Sequence, residues 1–160
     1  MEKFSGDDGS PVSPVYAYVP QYDDSLERGT DKGLRLFVIF TDMAGTLAAL
    51  QMAEGLAQRL ESHIRLLMLY EVTYALPLTR PAVPVGFLER QVRDVAAMFQ
   101  GEVAAEIYLC RDKILTLKSL LRPESLVLVG GKRRYWPNSS LRLARALQKS
   151  GYQVIFAEVR

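Results

Sequence analysis

From Leu34 onward the chain alternates, without a break in rhythm, between short β-prone apolar runs and longer windows with helical periodicity. "LRLFVIF" (34–40) reads as a buried strand, being rich in β-branched and aromatic residues. "GTLAALQMAEGLAQRLES" follows and sets Leu47, Leu50, Ala53, Leu56, Ala57 and Leu60 on one helical face. "HIRLLMLYEV" (63–72) is a second strand. Pro77, Pro81 and Pro84 then forbid a regular helix or a central strand until "FLERQVRDVAAMFQ" (87–100), a helix with Leu88, Val92, Val95, Ala96 and Phe99 inward. "EVAAEIYLC" (102–110) is the third strand. Asp112 caps a helix that runs through Leu121 and stops at Pro123. "SLVLVG", the helix "SSLRLARALQKSG" closed by Gly151, and "YQVIFAEV" complete the series. Strict alternation with apolar strands predicts an α/β fold, a doubly wound five-stranded parallel sheet with helices on both faces.

Composition narrows the class. The chain has 160 residues, with 49% hydrophobic and 24% charged, which suits one domain with a real core. No apolar run approaches the roughly 20 residues needed to cross a bilayer, and the first residues lack the pattern of a secretion signal. The single cysteine, Cys110, has no partner for an internal disulfide, so the expected compartment is the cytoplasm. A net charge of +2 gives no argument for nucleic acid. It is unevenly spread, however. Residues 1–33 carry seven acids and three bases, a net of −4, which leaves +6 on 34–160. With no sustained periodicity, 1–33 is expected to be a disordered or loosely docked acidic tail, with Tyr16, Tyr18 and Tyr22 as docking residues, ahead of a domain at 34–160.

In doubly wound sheets ligands bind beyond the carboxyl ends of the strands, where strand order reverses. That directs attention to the loops after strands one and four. After strand one, "FTDMAGTL" places Asp42 just before a helix, where it either caps the helix or accepts from a ligand. After strand four, Gly130 and Gly131 permit positive φ and close approach by a ligand, and Lys132, Arg133 and Arg134 supply charge. Asn138, Ser139 and Ser140 then offer a helix start with unpaired N–H groups. These are the ingredients of a phosphate site, and equally those of a solvated basic turn.

The segment 34–160 resembles the universal stress protein (UspA-like) family. The resemblance rests on the order of elements, on "VIFTD" at the end of strand one and on the prolines before the second helix. "LVLVG" at strand four and the closing pair "LARALQKSGYQVIFAEV" add to it. It implies an adenine nucleotide alpha hydrolase-like fold with strand order 3-2-1-4-5. It also implies a homodimer through the C-terminal strand, which is apolar and β-prone to its end. The family's ATP-binding branch carries G-x-x-G, nine residues, then G-[ST]. Gly130 matches the first glycine, Arg133 stands where the second belongs, and only seven residues (131–137) precede Asn138-Ser139, the counterpart of the last pair. Asp42, after Thr41, matches the adenine-side aspartate. The implied ligand is therefore ATP or AMP held weakly, or another small anion, since an arginine and a shortened loop cannot wrap three phosphates. The implied binding set is Thr41, Asp42, Gly130, Gly131, Lys132, Arg133, Asn138, Ser139 and Ser140.

Other residues receive plainer readings. His63 is expected at the surface at a strand start, Cys110 as a small buried hydrophobe, and Tyr135 and Trp136 as cover for the adjacent helix. No catalytic set and no metal cluster is spaced in the sequence. The leading expectation is a non-catalytic module with a regulatory or stress-response role. The alternatives are a nucleotide-hydrolysing or transferring enzyme using Asp42 with loop 132–134, and an interaction module whose acidic tail covers its own basic loop.

Overall fold

A computed structural model describes residues 2–4, 15–17, 35–99, 101–133 and 138–159, with side chains from residue 35 onward. The elements in chain order are β1 (Glu2–Phe4), β2 (Val15–Ala17), β3 (Arg35–Ile39), α1 (Met43–Leu60), β4 (Ile64–Glu71) and α2 (Val85–Phe99). After these come β5 (Ala104–Cys110), α3 (Lys113–Leu120), β6 (Ser125–Gly131), α4 (Ser139–Lys149) and β7 (Gln153–Glu158). The sheet order is β1-β2-β5-β4-β3-β6-β7. Its five long strands are parallel and follow the expected 3-2-1-4-5 order. Two short strands lengthen the β5 edge: β2 runs parallel to β5, with Tyr16 opposite Tyr108, and β1 lies antiparallel outside β2. Sequence periodicity cannot reveal strands of three residues, because a period of two needs more than one repeat to register.

The strands are buried on both faces, which explains their nearly unbroken apolar sequence. Leu36, Val38, Leu66, Met68, Ile107 and Leu128 form one core with Ala49, Leu50 and Ala53 of α1 and Leu88, Val92, Val95 and Phe99 of α2. Phe37, Ile39, Leu67, Tyr108, Val127 and Val129 form the other, under Leu117 of α3 and Ala144 and Leu147 of α4. Each such aliphatic burial contributes roughly 1.5–3 kcal/mol. In α1 Leu50 and Ala53 of the expected face are buried and Leu47, Leu56 and Ala57 pack against the same core, with Gly45, Thr46 and Ala49 buried as well. Leu60, on the expected stripe, is 44% exposed, because the helix passes beyond the sheet before it ends at Glu61 in a left-handed turn. The segment between β4 and α2 is held by turns, Arg80 N–H to the Pro77 carbonyl among them, and is neither strand nor helix, as its prolines require. Gly151 closes α4 with φ of 96°. Among the described residues no helix is long and apolar enough to cross a membrane.

Candidate functional site

The two loops singled out in the sequence meet at one rim. β3 and β6 are adjacent and parallel, with Ile39 opposite Val129, so Asp42 and Lys132 leave the sheet at the same carboxyl edge. Thr41 Oγ1 donates to the Gly130 carbonyl at 2.7 Å, and the Thr41 N–H donates to Oγ1 of the buried Thr46 at 3.0 Å. Asp42 is the N-cap of α1: its Oδ1 accepts from Gly45 N–H at 2.6 Å, and the residue is exposed. Of the two roles open to Asp42, the structure shows the cap, which occupies one carboxylate oxygen.

The two glycines of strand four have a packing role that the sequence reading did not foresee. β6 continues through Gly131, and neither glycine has positive φ. A Cβ on Gly130 would overlap the carbonyl oxygen of Gly45, and a Cβ on Gly45 would lie 2.5 Å from the Gly130 oxygen. A Cβ on Gly131 would lie 2.8 Å from the Ser140 Cβ. The side-chain space at both glycines is therefore filled by the chain itself. Gly130 brings the first turn of α1 onto β6, and Gly131 brings the first turn of α4 onto its end.

Asn138 caps α4, its Oδ1 accepting from Leu141 N–H at 3.0 Å, while its Nδ2 donates to the Lys132 carbonyl at 2.6 Å. Lys132 and Arg133 are exposed beside it. Arg134, Tyr135 and Trp136, named above as charge and cover, lie outside the described residues. The acids of the N-terminal segment other than Glu2 lie outside them too. The strands of that segment, β1 and β2, sit at the β5 edge, with β5, β4 and β3 between them and β6.

Beneath this rim, between the first turns of α3 and α4, lies a cavity of about 600 Å³. That volume is within the range of small-ligand sites. Of the predicted residues it brings together Thr41, Ser139 and Ser140; Asp42, Gly130, Gly131, Lys132, Arg133 and Asn138 do not line it. It adds charges that the loop-centred reading missed: Glu71 from the end of β4, Lys113 from α3 and Arg142 from α4, over an apolar floor of Phe40, Ile114, Leu143 and Ala146. Glu71 and Arg142 were visible as charged residues at the carboxyl end of an apolar strand and in a helix first turn, and only the strand order places them face to face.

Local chemistry divides the cavity into two halves. On the α3 side, Glu71 Oε1 accepts from Lys113 N–H at 3.1 Å, and Asp112 Oδ1 accepts from Leu115 N–H at 3.0 Å. On the α4 side Ser140 is only 7% exposed as a residue; among the described residues its hydroxyl makes no hydrogen bond and no fully buried side-chain oxygen lacks a partner, so the hydroxyl itself reaches solvent. Asn138 engages the N–H groups of Leu141 and Arg142 and leaves those of Ser139 and Ser140 open. A free, solvent-reached hydroxyl on a mostly buried serine, two open N–H groups at a helix start and a guanidinium together suit an anion.

Cys110, behind this wall, is buried; desolvation, opposed by a hydrogen bond with Thr116, pushes its thiol up to about 11. It is the small hydrophobe expected. His63 is exposed, just ahead of β4. Among the described residues no group of three or more His, Cys, Asp or Glu is placed to hold a metal ion.

No protein-family model matches the sequence, and no curated protein does. Solved structures do match. The universal stress protein UspA from Lactobacillus plantarum superposes with a TM-score of 0.52 at 16% identity, over 80% of this chain and 99% of that one. A universal stress protein in complex with cAMP gives 0.48 at 11% identity, over 81% and 100%. The chain has the universal stress protein fold, as the resemblance implied, in a divergent sequence.

Proposed function

We propose that this protein is a non-catalytic, universal-stress-protein-like module that binds a small anion, a phosphate ester such as AMP foremost, in the cavity between α3 and α4. One observation carries the reading: Ser140, mostly buried and with a hydroxyl that makes no hydrogen bond among the described residues, lines a cavity at the point where strand order reverses, with Arg142 and Lys113 in the same lining. The fold supports it, since such crevices are where ligands of doubly wound sheets bind. Weak affinity follows from the loop. With Gly130 and Gly131 committed to helix packing, their backbone is not free to wrap a phosphate chain. Asp42, exposed with one carboxylate oxygen outside the cap, remains the candidate for contact with an adenine amino group, and Lys132 and Arg133 remain the outer cations. We place the protein in the cytoplasm as a regulatory homodimer joined through β7, the edge strand of the sheet.

The test is thermal unfolding of the full chain with AMP, ATP or inorganic phosphate at matched magnesium. A ligand at 100 times its Kd raises stability by about 2.7 kcal/mol. A rise in midpoint with AMP, diminished in Ser140→Ala, supports the reading. No shift with any of the three at millimolar concentration overturns it, and phosphate release from ATP above a no-protein control overturns its non-catalytic part.

A further inference from the structure

We propose that Glu71 makes the cavity selective by charge, admitting ligands with a single phosphate and rejecting polyphosphates. The inference rests on reading the cavity as an anion site and adds a specificity residue to it. The two helix starts facing the cavity are not equivalent. At α3 the first N–H, that of Lys113, is already taken by the Glu71 carboxylate at 3.1 Å, and the next free position is followed by Leu115, which is held by Asp112. A phosphate reaching that end finds a seated negative charge beside the N–H left open at Ile114. At α4, among the described residues, the N–H groups of Ser139 and Ser140 and the Ser140 hydroxyl are open, and Arg142 is in the same lining. The cavity thus has one anion seat and, on its opposite wall, a fixed anion.

The charge balance agrees. Within the cavity lining itself, outside which Lys132 and Arg133 stand, Lys113 and Arg142 against Glu71 leave +1, which suits one phosphate group better than the several charges of a triphosphate. A chain of phosphates extending from the α4 seat toward α3 closes on the carboxylate, and like charges repel. Glu71 is exposed and its carboxylate is held by the Lys113 N–H, a bond that glutamine at the same place preserves through its amide oxygen. Charge and geometry are therefore separable by substitution.

The experiment is calorimetric titration of the full-length wild type and of Glu71→Gln. The ligands are inorganic phosphate, AMP, pyrophosphate and ATP, at constant ionic strength with chelator present. The wild type is expected to bind phosphate at least tenfold more tightly than pyrophosphate, and AMP at least tenfold more tightly than ATP. Comparison of phosphate with AMP separates a free-anion site from a nucleoside monophosphate site. Glu71→Gln is expected to tighten pyrophosphate and ATP by tenfold or more and the two monophosphates by less than threefold. Equal tightening of all four ligands overturns the proposal, as does a wild-type preference for polyphosphate. If Glu71→Gln unfolds, the wild-type order of affinities decides alone. Binding with an unchanged ratio defeats only the selectivity, whereas no binding of any ligand defeats the anion site as well.

Discussion

The side chain of Asn138 donates to the carbonyl oxygen of Lys132 at 2.6 Å while its own oxygen caps α4 through Leu141 N–H, so one residue ties both ends of the loop between β6 and α4. The two bonds are separable. Asn138→Asp keeps the cap and loses the donor; Asn138→Ala loses both. Loss of an N-cap costs about 0.5–2 kcal/mol. Urea denaturation should therefore place Asn138→Ala about 1–2 kcal/mol below wild type and Asn138→Asp between them. An alanine variant as stable as wild type would show that the cap carries no stability.

The glycines give a second, sharper expectation. Gly130→Ala drives a methyl into the backbone of Gly45, where no flexible side chain can yield, and overpacking of that kind costs about 1–3 kcal/mol or more. Gly131→Ala meets the Ser140 Cβ at 2.8 Å, which no rotamer change can move, and is expected to destabilise too, by less than Gly130→Ala because its overlap is smaller. Gly55, inside α1 with nothing within 4 Å of its added Cβ, behaves oppositely: Gly55→Ala should stabilise by roughly 0.5–1 kcal/mol through helix propensity. Denaturation midpoints of the three variants check the order; a Gly130→Ala protein at wild-type stability would refute the packing role.

Gly130 also shows where the sequence stops being informative. Strand runs such as "FVIF" and "LVLVG", the caps Asp112 and Asn138 and the prolines before α2 act within a few residues, so periodicity and capping rules find them. Whether a glycine after a strand faces a ligand or another backbone depends on where α1 lies, and α1 belongs to a segment more than 80 residues earlier. The same holds for Glu71, Lys113 and Arg142. Each sits on a different element, and none is distinguished locally from a solvated charge until the sheet order sets them around one cavity. Thr41 and Ser140 were legible because they flank strand ends at the switch point; their bond and burial were not.

Cys110 gives a pH expectation with a definite sign. Its thiol rises from an ordinary 9.0 to about 11 in the folded chain, through burial first of all. Below pH 9 both folded and unfolded forms hold the proton, and the residue contributes no pH dependence. Between pH 9 and 11 the unfolded thiol ionises while the folded one does not, so the unfolded state binds fewer protons and stability falls as pH rises. Cys110→Ala should reduce that alkaline slope. In the native protein at pH 8 a disulfide reagent should label Cys110 only as fast as the chain opens, with a rate that rises with denaturant. Rapid labelling in buffer would contradict its burial.

The proposed dimer has its own test at β7. Among the described residues the strand lies at the sheet edge and pairs only with β6, and Val154, Ile155 and Phe156 are half-buried. Successive N–H groups along a strand point to opposite sides, so at neighbouring positions one donates to β6 and the next faces outward. Proline removes one N–H at a time. Val154→Pro and Ile155→Pro should therefore diverge: one breaks a bond of the sheet and lowers stability, while the other removes an outward donor and leaves the fold. Light scattering should find the wild type at twice the chain mass and the stable proline variant at one chain mass. A stable proline variant that stays dimeric would move the contact away from β7, and a monomeric wild type would remove the dimer.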